Sequence, residues 1–221
     1  TLNLARSRLK ESDIKLIGEY LRDTQPGLQE LDISDNGLGT GAMTLICDFW
    51  GRNKSLTSLS LGQNDFSGDD ISKFLSFVVR LNSWRDEFPF SSQHVSDTMP
   101  DHDQTPLLST LDFMEMQVFQ EKQVRDLAKI LESSNSLSKV VLYNCRISET
   151  NTKILIEAIK NSSSLAVIDL RGNHATHEDL TDLANFYVTS PTLARVYMDF
   201  SDPKRLLRCK YLPKLGLREL P

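Results

Sequence analysis

Cysteine is scarce in this chain of 221 residues, and Cys47, Cys145 and Cys209 form an odd set without paired spacing. That argues against a disulfide framework or a paired-cysteine zinc site, and leaves free thiols in a reducing cytosol as the expectation. Histidine is almost as rare. His174 and His177 with Glu178 have the look of a partial ligand set, but no further His or Cys ligand stands near them, so no metal site is expected. No apolar run approaches transmembrane length, and no signal-peptide pattern opens the chain. The formal net charge of -5 gives no support for nucleic-acid binding. Glycine-rich phosphate loops are missing too: Gly37, Gly39 and Gly41 follow a turn asparagine and serve the entry to a helix. No Ser or Cys nucleophile is paired with a base. Enzyme activity and a cofactor are therefore not expected.

What the chain does have is one phrase, L-x-x-L-x-L-x-x-N-x-L, written repeatedly. It reads Leu28, Leu31, Ile33, Asn36, Leu38, and then Leu56, Leu59, Leu61, Asn64, Phe66. Three later copies are Leu108, Leu111, Phe113, Met116, Val118; Leu137, Val140, Leu142, Cys145, Ile147; and Leu165, Ile168, Leu170, Asn173, Ala175. Weaker copies bracket these at Leu2, Leu4, Ser7, Leu9 and at Leu193, Val196, Met198, Ser201. The middle leucine-type positions step by 29, 28, 52, 29, 28 and 28 residues. Such a period marks a repeat array in which one copy carries an insertion.

Each Leu-x-Leu pair sends two side chains to one face of a short strand and the residue between them to the other. The asparagine then sits in the bend, where its side chain can satisfy backbone groups. Apolar residues at helical spacing follow in each repeat: Ile14, Ile17 and Leu21; Met43, Ile46 and Trp50; Ile71, Phe74, Leu75 and Val78; Val124, Leu127, Ala128 and Leu131; Leu155, Ala158 and Ile159; Leu180, Leu183, Ala184 and Tyr187. Helix-start signals stand at Ser67 or Asp69 and at Thr176 with Asp179. A period of 28 or 29 residues leaves room for a full helix. The expected fold is an α/β leucine-rich-repeat solenoid of the ribonuclease-inhibitor type, with a curved parallel sheet on the concave face and helices on the convex face. About seven repeats would span residues 1–203 and stack as one array. Because Thr1 lies inside a strand phrase with no polar cap before it, the chain is expected to belong to a longer protein.

The anomalous step is 24 residues longer than its neighbours, which places an insertion at about 82–106. A mobile surface loop is the first expectation for it, and a contact or phosphorylation segment anchored by Trp84, Phe88 and Phe90 is the second. The basic segment 204–221 lacks the repeat order, and Pro213 interrupts it. It is expected to cap the last repeat, with a connection toward anionic lipid as the alternative.

Recognition in such an array falls to residues that alternate with the core leucines on the sheet. In the first half these are small and acidic, including Glu30, Asp32, Ser58 and Ser60. In the second half Tyr and Arg gather, the residue types that dominate interface energetics. The candidate partner-binding residues are therefore Lys139, Tyr143, Asp169, Arg171, Arg195, Tyr197 and Asp199.

Leu28 to Gly37, Asn53 to Leu56 and Leu59 to Asn64 resemble the later repeats of the CARMIL family, linkers of capping protein, the actin-related-protein complex and class I myosin. The likeness continues through Pro106-Leu107-Leu108, Asn135 to Val140 and Thr192 to Arg195. The resemblance implies a cytoplasmic scaffold that regulates actin assembly at the plasma membrane or cell cortex, with actin-regulatory proteins as partners. The insertion is longer than that family leads one to expect. No match to its basic capping-protein-binding motif occurs, so direct capping-protein inhibition is not implied. Membrane association would come from regions outside this chain or from the basic tail. Two alternatives use the same solenoid: a Ran-type GTPase-activating protein, usually acidic in its tail where this one is basic, and an inhibitor or innate-immune ligand-binding array.

Overall fold

The computed structural model describes residues 1–23, 27–52, 55–87 and 108–199, and within these the side chains of 22, 23, 51, 52 and 81–87 are not described. The chain divides into two compact units, Thr1–Asp112 and Phe113–Pro221. In the first, β1 (Leu2–Asn3), β2 (Glu30–Asp32), β3 (Ser58–Ser60) and β4 (Thr110–Asp112) alternate with helices α1 (Glu11–Asp23), α2 (Thr40–Arg52) and α3 (Gly68–Glu87). Neighbouring strands are parallel and in sequence order, with Leu2 beside Leu31, Leu31 beside Leu59 and Leu59 beside Leu111. The second unit holds α4 (Glu121–Ser133), β5 (Lys139–Val141), α5 (Glu149–Asn161), β6 (Val167–Asp169), α6 (His177–Thr189) and β7 (Arg195–Tyr197). There Val140 stands beside Ile168, and Ile168 beside Val196, again in parallel. Both units are leucine-rich-repeat arrays of alternating parallel strand and helix, the α/β architecture that the period implied.

The core forms where strands and helices meet. Leu31, Leu59, Leu111, Val140 and Ile168 are buried, as are the helix residues at the expected spacing from Met43 to Tyr187. Helix α1 departs in one detail. Its inner face is Ile14, Gly18 and Leu21, while Ile17 is half-buried. A Cβ on Gly18 would lie 2.9 Å from Phe49 Cβ, so the missing side chain is what lets α2 approach there.

The turns are held by the asparagine side chains. Asn36 Oδ1 accepts the amides of Ser7 and Leu9, and its Nδ2 donates to the carbonyls of Leu4, Ile33 and Ser34. Asn64 does the same one repeat on, and Asn173 serves Cys145 and Ile147 in the second unit. At Cys145 the thiol takes over the donor role toward the Phe113 and Tyr143 carbonyls. A thiol is a weaker hydrogen-bonding group than the amide it replaces.

Helix ends show a second recurring device. Ser134, Ser162 and Ser190 follow α4, α5 and α6, and each is buried. Their hydroxyls accept the amides of Leu137, Leu165 and Leu193, the leucines that open the next repeat phrase. At the other end, Thr176 and Asp179 form the expected reciprocal capping box. For α3 the partner of Ser67 is Asp70, whose Oδ2 accepts both the Ser67 amide and hydroxyl.

Helix α3 runs on through Glu87, so Asn82–Glu87, read from sequence as the start of the insertion loop, continue a 20-residue helix. Trp84 is in that helix, but its side chain lies outside the described residues. Phe88, Phe90, the rest of the expected insertion and the basic tail 204–221 lie outside them entirely.

Candidate functional site

All seven candidate contact residues fall on the strand side of the second unit, on three successive repeats. Register places them in rows across the strands. Lys139, Val167 and Arg195 form the first row, and Val141, Asp169 and Tyr197 the second. Tyr143, Arg171 and Asp199 follow two residues beyond the second row in their own repeats. The alternation of strand side chains puts these two rows on the face opposite the buried Val140 and Ile168, and the contacts of Arg171 with Asp169, Tyr143 and Tyr197 bring Arg171 and Tyr143 to the same face.

Arg171 organises the middle of this face. Its guanidinium carbon is 5.5 Å from the Tyr143 ring centroid and 5.1 Å from that of Tyr197, within cation–π range of both. Asp169 fixes the group from below through two hydrogen bonds, Nε to Oδ1 at 3.0 Å and Nη2 to Oδ2 at 2.7 Å. The Arg171 amide also donates to Asp169 Oδ1, at 3.1 Å. The hydrogen bonds to Asp169 raise the Arg171 pKa above its ordinary value; burial works against them, and the charges of Asp169 and Asp199 add to them. The arginine is a permanent cation held between two aromatic rings. Such preorganisation reduces the side-chain entropy lost on binding.

The arrangement separates the candidate residues by task. Asp169 is buried, 7% exposed, because Arg171 lies over it, so its carboxylate positions the arginine and is not presented to a partner. Asp199 accepts the amide of Gly172 and braces the neighbouring turn. Tyr197, 39% exposed, is one of three exposed large hydrophobic residues among those described. Lys139 and Arg195 are exposed as well.

Gly172 is a positioning residue that sequence reading missed. Its φ is +73°, and an added Cβ would meet Asn144 Cα at 2.9 Å. The only hint was a glycine just before a repeat asparagine. On the helix side a hollow of about 480 Å³ lies between α4 and α5, with Ala128 and Ile154 in its lining and Arg125, Lys129, Glu132 and Lys153 around them. Among the described residues, no group of three or more His, Cys, Asp and Glu could hold a metal ion, and no helix is long and apolar enough to cross a membrane.

No family model matches the sequence, and no curated protein matches it. Among solved structures the chain is similar to the tropomodulin C-terminal domain of Caenorhabditis elegans, at 14% identity and a TM-score of 0.52 over 79% of this chain and 90% of that one. It also aligns with actin-binding site 2 of leiomodin-1, at 13% identity and a TM-score of 0.40, over 84% of this chain and 76% of that one. The tropomodulin likeness supports the fold already described. At this identity it extends no further than the fold.

Proposed function

We propose that this chain is the protein-binding module of a cytoplasmic scaffold that regulates actin assembly at the cell cortex, and that it contacts its partner through the strand face of the second unit. The observation that carries the reading is the Arg171 guanidinium held between Tyr143 and Tyr197. Aromatic and arginine anchors that are already ordered are the usual centres of interface energy. The actin-regulatory direction rests on the resemblance of residues 28–64 to CARMIL repeats. The role is one of binding, without catalysis.

The test is direct binding of the labelled chain to actin monomers, actin filaments, capping protein and class I myosin tails. Saturable binding to at least one of these is expected, with an Arg171→Glu, Tyr143→Ala, Tyr197→Ala triple variant weakened roughly thirtyfold, as loss of a hot-spot anchor implies. Binding to none of the four, or equal binding by the triple variant, would overturn the proposal.

A further inference from the structure

Two cations on the same face are left unengaged. Lys139 and Arg195 stand in one register row on β5 and β7, on either side of Val167 of β6. Both are exposed, and among the described residues neither side chain has an ion pair or a hydrogen bond. Arg171, by contrast, already has a carboxylate partner. Val167, half-buried, supplies apolar surface between the charges, and Val141, also half-buried, extends it beside Lys139 on β5. Adjacent strands lie about 4.8 Å apart, so cations two strands apart are separated by roughly 10 Å at the backbone.

We infer that this face takes an acidic amphipathic helix laid across β5, β6 and β7. Its carboxylates at positions i and i+7 meet Lys139 and Arg195, and an apolar side chain at i+3 or i+4 rests on Val167. The spacing selects a helix. Seven residues rise about 10.5 Å and return to the same side after two turns. An extended segment laid in the same direction repeats its facing side chains about every 6.8 Å, out of step with the two cations. Tyr197, in the next row, flanks such a helix along one edge. The inference rests on the reading of this face as a protein-contact surface and names the chemistry of its occupant.

The probe is a synthetic alanine- and glutamine-based helix of about 20 residues, with glutamates at its seventh and fourteenth positions and leucines at its tenth and eleventh. A control of the same composition carries its second glutamate two positions earlier, off the binding face. By fluorescence anisotropy the first peptide should bind roughly tenfold more tightly than the control, and a Lys139→Glu, Arg195→Glu double variant should lose that preference. A peptide with lysines in place of the glutamates should bind the double variant better than the parent chain, which also shows that the variant is folded. Equal binding of the two glutamate peptides, or an unchanged preference in the double variant, overturns the inference. If an actin-regulatory partner binds and Arg171→Glu weakens it while the peptide shows no preference, the helix inference falls and the functional proposal stands. If neither partner nor peptide binds, both fall.

Discussion

Asn64 Oδ1 accepts the backbone amide of Asn36 at 3.1 Å, so the turn asparagine of one repeat is held by the side chain of the next. The same oxygen also takes the Leu38 amide at 3.1 Å, and Asn64 Nδ2 reaches back to the Ile33 carbonyl at 3.0 Å. Removing this side chain strands donors and acceptors in two repeats at once. Asn64→Ala should lower stability by about 1–3 kcal/mol, the cost of leaving buried polar groups unpaired. An unchanged urea midpoint would contradict that role.

Ser134 does a comparable task at the end of α4. Its hydroxyl accepts the Leu137 amide at 3.0 Å, and its own amide donates to the Ile130 carbonyl at 2.8 Å. Ser134→Ala keeps the second bond and loses the first, with a buried amide left over. A loss of about 1–2 kcal/mol in chemical denaturation is expected, and Ser134→Thr, which retains the hydroxyl, should lose less.

Asp70 gives the fold an acid-sensitive joint. Burial pushes its pKa up, but the Ser67 hydroxyl and amide, the Thr40 hydroxyl and the charge of Lys73 outweigh it, so the net value lies below the ordinary 3.8. A depressed folded-state pKa means that this contribution is complete above the unfolded-state value, near pH 4, and is lost as pH falls through the lower folded value. Denaturation of the parent chain and Asp70→Asn across the range from neutral to about pH 2 should therefore give a stability difference that shrinks at the acid end. A constant difference would show that the carboxylate charge plays no part.

Gly172 supports the contact face through its backbone. With φ at +73° and the Asn144 backbone within 3.0 Å of any Cβ, Gly172→Ala should cost about 1–3 kcal/mol. It should also disturb Tyr143, which precedes Asn144, and so weaken partner binding beyond the change in stability. Full binding at a temperature where the variant remains folded would limit Gly172 to a structural role.

Much of this protein was legible in its sequence because the repeat is written in local order. Leu31, Leu59, Leu111 and their counterparts recur at the strand period, and Met43, Ile46 and Trp50 recur at the helix period, so strand, turn, helix and core followed from patterning alone. Asn36, Asn64 and Asn173 were legible for the same reason. Other features depend on residues a full repeat apart. Ile17 has the right spacing for the core, yet Gly18 faces Phe49, because the close approach of α1 and α2 is a property of two helices. Asp169 and Arg171 both read as contact residues, and only their geometry makes one the support of the other. Tyr143, Arg171 and Tyr197 are separated by 28 and 26 residues in the chain. Periodicity assigned each to the strand face of its own repeat, where side-chain direction is set locally; stacking the repeats in register decided that one guanidinium lies against both rings, since cation–π contact depends on distance through space.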